Sequence, residues 1–317
     1  MPRILTIFGA TGAQGGGLAR AALADPQQRF AVRAVTRKPD APAAAALRAA
    51  GAEIVTADMD DAASVARVLR GSHAAYCVTN FWEHFSPERE LAQAKAMADG
   101  AAQAGVKHVV WSTLEDTRTL VPPGTPGWNV LGGKYIVPHF DAKGEGDAFF
   151  VASGVPTTRF LTSFYWDNLI HFGMQPQRGP DGVLSFVLPM GQAKMPGIAA
   201  TDIGACAYAV FVRGEEFAGR TVGIAGEHLS GDEMAAQLGA ALGEPVRYVA
   251  PTFDEYAAFG FPGAEDLANM FRYYHDFERP FRTARDVAFT RELYPQLQTF
   301  AVWLAENAKR LPITPPS

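Results

Sequence analysis

The chain has 317 residues, 48% of them hydrophobic and 19% charged, a balance that buries a sizeable core and excludes a disordered or fibrous chain. A formal net charge of −5 argues against direct nucleic-acid binding, which needs clustered Lys and Arg. Only two cysteines occur, Cys77 and Cys206, far apart in apolar runs; they read as buried free thiols suited to a reducing, cytoplasmic compartment. No apolar run is long enough to span a bilayer, and no signal peptide is expected ahead of the first strand.

That strand is the apolar run Ile4 to Phe8. It ends at Gly9, Gly12 and Gly15, spaced G-x-x-G-x-x-G, and an alanine-rich amphipathic helix, Leu18 to Leu23, follows. Strand, glycine turn and helix in that order are the context of a dinucleotide fingerprint. Gly9 lets the chain turn sharply, Gly12 lets the backbone approach a pyrophosphate, and Gly15 permits close helix–strand packing. The helix N-terminus offers N–H groups and a positive dipole end to phosphates. Gly16 and Gly17 loosen the first helical turn, without a functional reading.

Phe30 to Val35 reads as the second strand, ending in Thr36-Arg37-Lys38-Pro39. NAD-binding chains place an Asp or Glu there for the ribose 2′-OH. Arg37 and Lys38 stand in its place, and a guanidinium fork suits a 2′-phosphate, so NADP(H) is expected over NAD(H). Further strands are expected at Glu53–Thr56, Ala74–Val78 and Val106–Trp111, with helices at Ser64–Arg70, capped by Asp60 or Asp61, and at Glu88–Ala104. Such alternation implies βαβ units and a doubly wound, Rossmann-type parallel sheet of the α/β class. Binding residues should gather at the strand C-termini, around Gly9, Arg37, Asp58, Thr79-Asn80 and Ser112-Thr113.

Leu120 to Tyr135, with three prolines and four glycines, breaks the alternation and reads as a long surface loop of the kind that forms lids. Pro156–Leu161 returns to strand. Beyond Tyr165 aromatics, Met and Pro become dense. A smaller C-terminal α/β lobe is expected over residues 166–317, with segments returning to the dinucleotide domain of residues 1–165. Ser230-Gly-Asp-Glu233 is a capping box for a helix through Leu242 that Gly243 ends, and a last helix runs Gln296 to Arg310.

Short-chain dehydrogenases and reductases keep a polar residue after the fifth strand, here Ser112-Thr113, and use Tyr-x-x-x-Lys on the next helix. The spacing puts both side chains on one face. The corresponding segment is His139-Phe-Asp-Ala-Lys143, with His139 where the Tyr would stand. Lys143 is expected to hold the nicotinamide ribose. His139 is either a substitute proton donor or a polar residue facing the cleft without chemistry. Thr113, His139 and Lys143 are the candidate catalytic residues, and no metal-ligand spacing is present.

Gly9-Ala-Thr-Gly-Ala-Gln-Gly15, Thr36-Arg-Lys38, Ser112-Thr-Leu-Glu115, His139 to Gly144 and Phe259-Gly-Phe-Pro-Gly-Ala through Phe271 together resemble the NmrA-like family, an atypical branch of the short-chain dehydrogenases and reductases. The His-Phe-Asp-x-Lys and Gly-Phe-Pro-Gly-Ala blocks look most like its animal NADPH-sensor branch. The resemblance implies NADP bound by a Rossmann domain, with contacts from Gly9, Thr11, Gly12, Gln14, Gly15, Arg37, Lys38, Asp58, Met59, Thr79, Asn80, Phe81, Lys143, Tyr165 and Asn168. It also implies either a redox sensor acting through a protein partner or an NADPH-dependent reductase of quinones or similar small apolar molecules. The aromatics Phe81, Trp82, Phe85, Phe164, Tyr165 and Trp166 suit a flat apolar substrate, or ordinary core packing. The Pro-rich loop from Pro122 to Tyr135 departs from the sensor pattern and weakens any partner surface inferred from it.

Overall fold

Strand and helix alternate from the start of the computed structural model, which describes residues 3–314. β1 (Ile4–Ile7) leads through the glycine turn into α1 (Ala13–Leu23). Then come β2 (Ala31–Thr36), α2 (Pro42–Ala49), β3 (Glu53–Thr56), α3 (Ala62–Leu69), β4 (Ala74–Cys77), α4 (Pro87–Gln103), β5 (His108–Thr113), α5 (Pro138–Ala152) and β6 (Thr157–Leu161). Next are β7 (Phe164–Tyr165), α6 (Asn168–His171), β8 (Gln177–Arg178), β9 (Leu184–Val187), β10 (Met195–Ile198), α7 (Ala200–Arg213), β11 (Thr221–Gly223) and β12 (Glu227–Leu229). The chain ends with α8 (Gly231–Leu242), β13 (Val246–Val249), α9 (Phe253–Ala257), α10 (Ala264–Asp276), α11 (Glu278–Thr283), α12 (Val287–Leu293) and α13 (Phe300–Asn307).

Two units result. The first joins residues 3–116 with His139–Thr162 and Ala200–Val222. Its sheet runs β11-β6-β5-β4-β1-β2-β3, and every pairing among β1 to β6 is parallel. This is a doubly wound α/β Rossmann sheet, with the order reversing between β1 and β4. Parallel strands bring their C-terminal ends to one edge, and ligands of such sheets bind there, at the reversal. β4 and β5 are buried along their whole length, which explains their unbroken apolar runs. Helices α3, α4 and α5 cover one face, burying Val65, Leu69, Met97, Trp111 and Phe150. The second unit joins Thr117–Pro138, Ser163–Ala199 and residues 223–314, with three-stranded sheets ordered β12-β10-β7 and β13-β9-β8 among the described residues.

Several elements differ from their sequence expectation. Helix α1 starts at Ala13 rather than Leu18, so Gly16 and Gly17 lie inside it. A Cβ on Gly17 would sit 2.9 Å from the Thr201 carbonyl oxygen, and one on Gly204 only 2.1 Å from the Leu18 nitrogen. Gly17 and Gly204 therefore let α1 and α7 touch backbone to backbone. Strand β5 is shifted two positions toward the C-terminus, which makes Ser112 and Thr113 its last rungs, opposite Phe160 and Leu161 of β6. Of the two candidate caps for α3, Asp61 accepts from the Ala63 N–H. The capping box at Ser230 and Glu233 forms, and Gly243 ends α8 at φ +75°.

The segment after β5 is not a free strap. It contains a bridge between Leu131 and Tyr135, and α10 fastens it within the second unit. The Asn269 amide donates to the Asn129 and Ile136 carbonyls at 2.8 and 2.6 Å. The Arg272 guanidinium donates to the Gly127 carbonyl and lies 4.7 Å from the Trp128 ring centroid.

Candidate functional site

The glycine turn sits at the C-terminal end of β1. Gly9 adopts φ +62°, which L side chains rarely take, and its carbonyl accepts from the Gly12 N–H at 2.8 Å. A Cβ on Gly15 would lie 2.5 Å from that same Gly9 oxygen, so only glycine lets α1 begin this close to the strand. The first turn of α1 has no side-chain cap and no acidic residue, and Thr11 and Gly12 are exposed. The first turn itself thus supplies no counter-charge to the positive end of the helix dipole. Gln14 behaves differently from its neighbours. Its Oε1 accepts from the Ser112 hydroxyl at 2.8 Å and from the Tyr76 hydroxyl, tying the turn to β4 and β5.

Arg37 follows β2, as expected, but its guanidinium forms a two-pronged ion pair with Glu83, Nη1–Oε1 at 2.6 Å and Nη2–Oε2 at 2.8 Å. Lys38 is exposed, with its backbone N–H on the Thr36 hydroxyl. Asp58 accepts from the Asp60 N–H in its own loop, and the Met59 side chain packs on the core. Asn80 precedes a short 3₁₀ turn, Phe81–Glu83, in which Phe81 is buried.

Helix α5 carries the candidate catalytic residues. Lys143 Nζ donates to Thr79 Oγ1 at 2.6 Å, to Glu90 Oε1 at 2.6 Å and to the Thr79 carbonyl at 3.3 Å. Glu90, on α4, is wholly buried. Burial pushes its carboxyl up, but the Lys143 ammonium, the hydrogen bonds from Lys143 and Thr79 and the His84 ring 3.4 Å away outweigh that and hold it below the usual carboxylate range. His139 is 5% exposed, its ring centroid 4.6 Å from Trp82 and 4.8 Å from Phe140. Thr113 donates to Asp147 Oδ1 at 2.7 Å, and the Trp111 indole donates to the same atom at 2.9 Å. Burial pushes Asp147 up to about 6.

Glu83, Glu90 and Asp147 were missed in the sequence because the partners that give them meaning, Arg37, Lys143 and Thr113, lie far away along the chain or on another element. The signal available was spacing: Asp147 lies four residues after Lys143, on the same helix face. Tyr165, in β7, and Asn168, which opens α6, belong to the second unit. No group of His, Cys, Asp and Glu among the described residues could hold a metal ion.

Residues 1–304 match the NmrA-like family. The chain belongs to that family. An NmrA-like family domain-containing oxidoreductase, FrzB, from Cladobotryum sp is 29% identical over 294 residues, covering 86% of this chain and 84% of FrzB. Among solved structures, NmrA, a negative transcriptional regulator in complex with NADP, superposes with a TM-score of 0.75 at 20% identity, over 98% of this chain and 95% of that one. The triphenylmethane reductase of Citrobacter sp. complexed with NADP(H) gives 0.73 at 18%, over 96% and 99%. At these identities the superpositions establish that this NmrA-like chain shares their fold. No helix among the described residues is long and apolar enough to cross a membrane.

Proposed function

We propose that this NmrA-like chain binds NADP(H) at the C-terminal edge of the first unit's sheet and signals the bound cofactor through contact with another protein. The observation that carries the binding is the start of α1: an uncapped, acid-free helix N-terminus behind a turn that Gly9 and Gly15 alone can form. Such a start accepts a pyrophosphate through backbone N–H groups and the helix dipole. Arg37 and Lys38 supply positive charge where a 2′-phosphate would lie. When bound, the dinucleotide supplies hydride-transfer chemistry. The regulatory reading is supported by His139, which stands in place of the usual Tyr, and by the pair's lysine, Lys143. His139 is buried against aromatic rings, and the Lys143 ammonium is committed to Glu90 and Thr79. A ribose hydroxyl reaching Lys143 has to take the place of Thr79.

A second reading, an NADPH-dependent reductase of quinones or similar apolar molecules, is favoured by the half-exposed Phe85 beside Trp82, ring centroids 5.8 Å apart, and by the oxidoreductase name of FrzB. Both readings are tested by titrating the protein calorimetrically with NADPH and then following nicotinamide absorbance with a panel of quinones. Tight binding without oxidation is the result expected of the regulator. Turnover well above the protein-free control transfers the assignment to the reductase, and absence of binding overturns both.

A further inference from the structure

In the sheet, β1 lies between β2 and β4, and its C-terminal end is the glycine turn. Arg37 follows β2 and Glu83 closes the turn that follows β4, so their ion pair reaches from one neighbour of β1 to the other. Both prongs of the guanidinium are engaged, at 2.6 and 2.8 Å. The other charges near the pair do not release it. Arg89 is itself held by Asp60 through two hydrogen bonds, and Asp58 is turned into its own loop. His84 packs one residue beyond Glu83, beside the buried Glu90 carboxylate. Arg37 is 49% exposed and Glu83 37%, so the pair is open to exchange with a ligand in solution.

We infer that Glu83 is a specificity-determining residue, a built-in counter-ion that a 2′-phosphate must displace from Arg37 and that therefore lowers the protein's preference for NADP(H) over NAD(H). The inference rests on the cofactor reading given above. NADH has a 2′-hydroxyl at that position and leaves the pair closed. NADPH exchanges one anion for another on the same guanidinium, and it meets the Glu83 carboxylate as a like charge. An exposed ion pair is a modest opponent. Adding the repulsion between carboxylate and phosphate, removal of the Glu83 charge is expected to tighten NADPH about tenfold.

The test is a calorimetric titration of NADPH and NADH against the parent chain, E83Q, R37A and the double variant. Glu83→Gln keeps the shape and removes the charge. The expected result is NADPH tightened about tenfold in E83Q with NADH within about twofold of the parent, and no effect of E83Q once Arg37 is Ala. Equal changes for the two cofactors, no change for either, or the same effect of E83Q in the R37A background would each overturn the inference while leaving cofactor binding intact. A parent chain that binds neither dinucleotide removes the cofactor reading and the inference with it. Adenosine 2′,5′-bisphosphate against 5′-AMP repeats the comparison without the nicotinamide half, and equal affinities of the two in every variant would also overturn it.

Discussion

Asp147 stands one helical turn beyond Lys143, and its environment opposes its charge. Burial raises the carboxyl to about 6, although Thr113 and Trp111 both donate to it. An unfolded Asp titrates at about 3.9, so the folded state holds the proton more tightly, by about 3 kcal/mol. The sign follows. Below about pH 4 both states are protonated and the group is neutral to stability. Between about pH 4 and 6 the unfolded state ionises first, and stability falls as pH rises. Above about pH 6 the penalty is complete. Asp147→Asn keeps an acceptor for Thr113 and Trp111 and removes the charge. Urea denaturation should show it about 1–2 kcal/mol more stable than the parent at pH 7, with a flatter profile between about pH 4 and 6. Parallel profiles for the two proteins would mean that Asp147 does not titrate there.

At the scale of elements, the crossing of α1 and α7 depends on two glycines and not on a third. Gly204→Ala drives a methyl into the Leu18 backbone nitrogen, and Gly17→Ala drives one against the Thr201 carbonyl. Backbone cannot step aside like a side-chain tip, so each change should cost about 1–3 kcal/mol, Gly204 the more. A Cβ on Gly16 meets chiefly the guanidinium end of Arg20, at 3.3 Å. That end moves easily, and Ala favours a helix over Gly by about 1 kcal/mol, so Gly16→Ala should be near neutral or mildly stabilising. Chemical denaturation of the three variants ranks them, and equal losses would refute the crossing as the cause. The segment between β5 and α5 makes a related case. Asn269 is 4% exposed and holds two of the segment's carbonyls. Asn269→Ala should raise hydrogen exchange across residues 127–136 without cofactor present, whereas a lid loose by nature would exchange fast in both proteins.

At the scale of the whole molecule, both cysteines fall in the first unit, Cys77 in β4 and Cys206 in α7, and both are buried. Burial raises both thiols, so the reactive thiolate is scarce as well as inaccessible. A thiol reagent should label neither in the native protein and both after unfolding. Labelling then reports opening of the unit that carries the glycine turn. NADPH at about a hundred times its Kd stabilises by about 2.7 kcal/mol and should slow that labelling about a hundredfold where opening limits exposure. An unchanged rate, with binding confirmed separately, would place the cofactor away from this unit.

The sequence alone determined the parallel sheet and the glycine turn at the end of its first strand, because those depend on local and periodic information. Buried parallel strands are apolar throughout, helices repeat their apolar face, and the spacing of Gly9, Gly12 and Gly15 marks a turn that other residues cannot make. The capping box at Ser230 and the left-handed Gly243 were readable for the same reason, each being a contact within a few residues. What only the tertiary structure decided are the partners of charged and small residues. Arg37 meets Glu83 across 46 positions of chain, and Lys143 meets Glu90 across 53. Gly17 meets Gly204 on a helix from the other half of the sequence, and Asn269 meets the loop it fastens at 140 positions' distance. A charge or a missing side chain carries no record of its partner along the chain. Which carboxylate neutralises a lysine, and which backbone fills the space left by a glycine, is settled only when the helices pack against the sheet and one another.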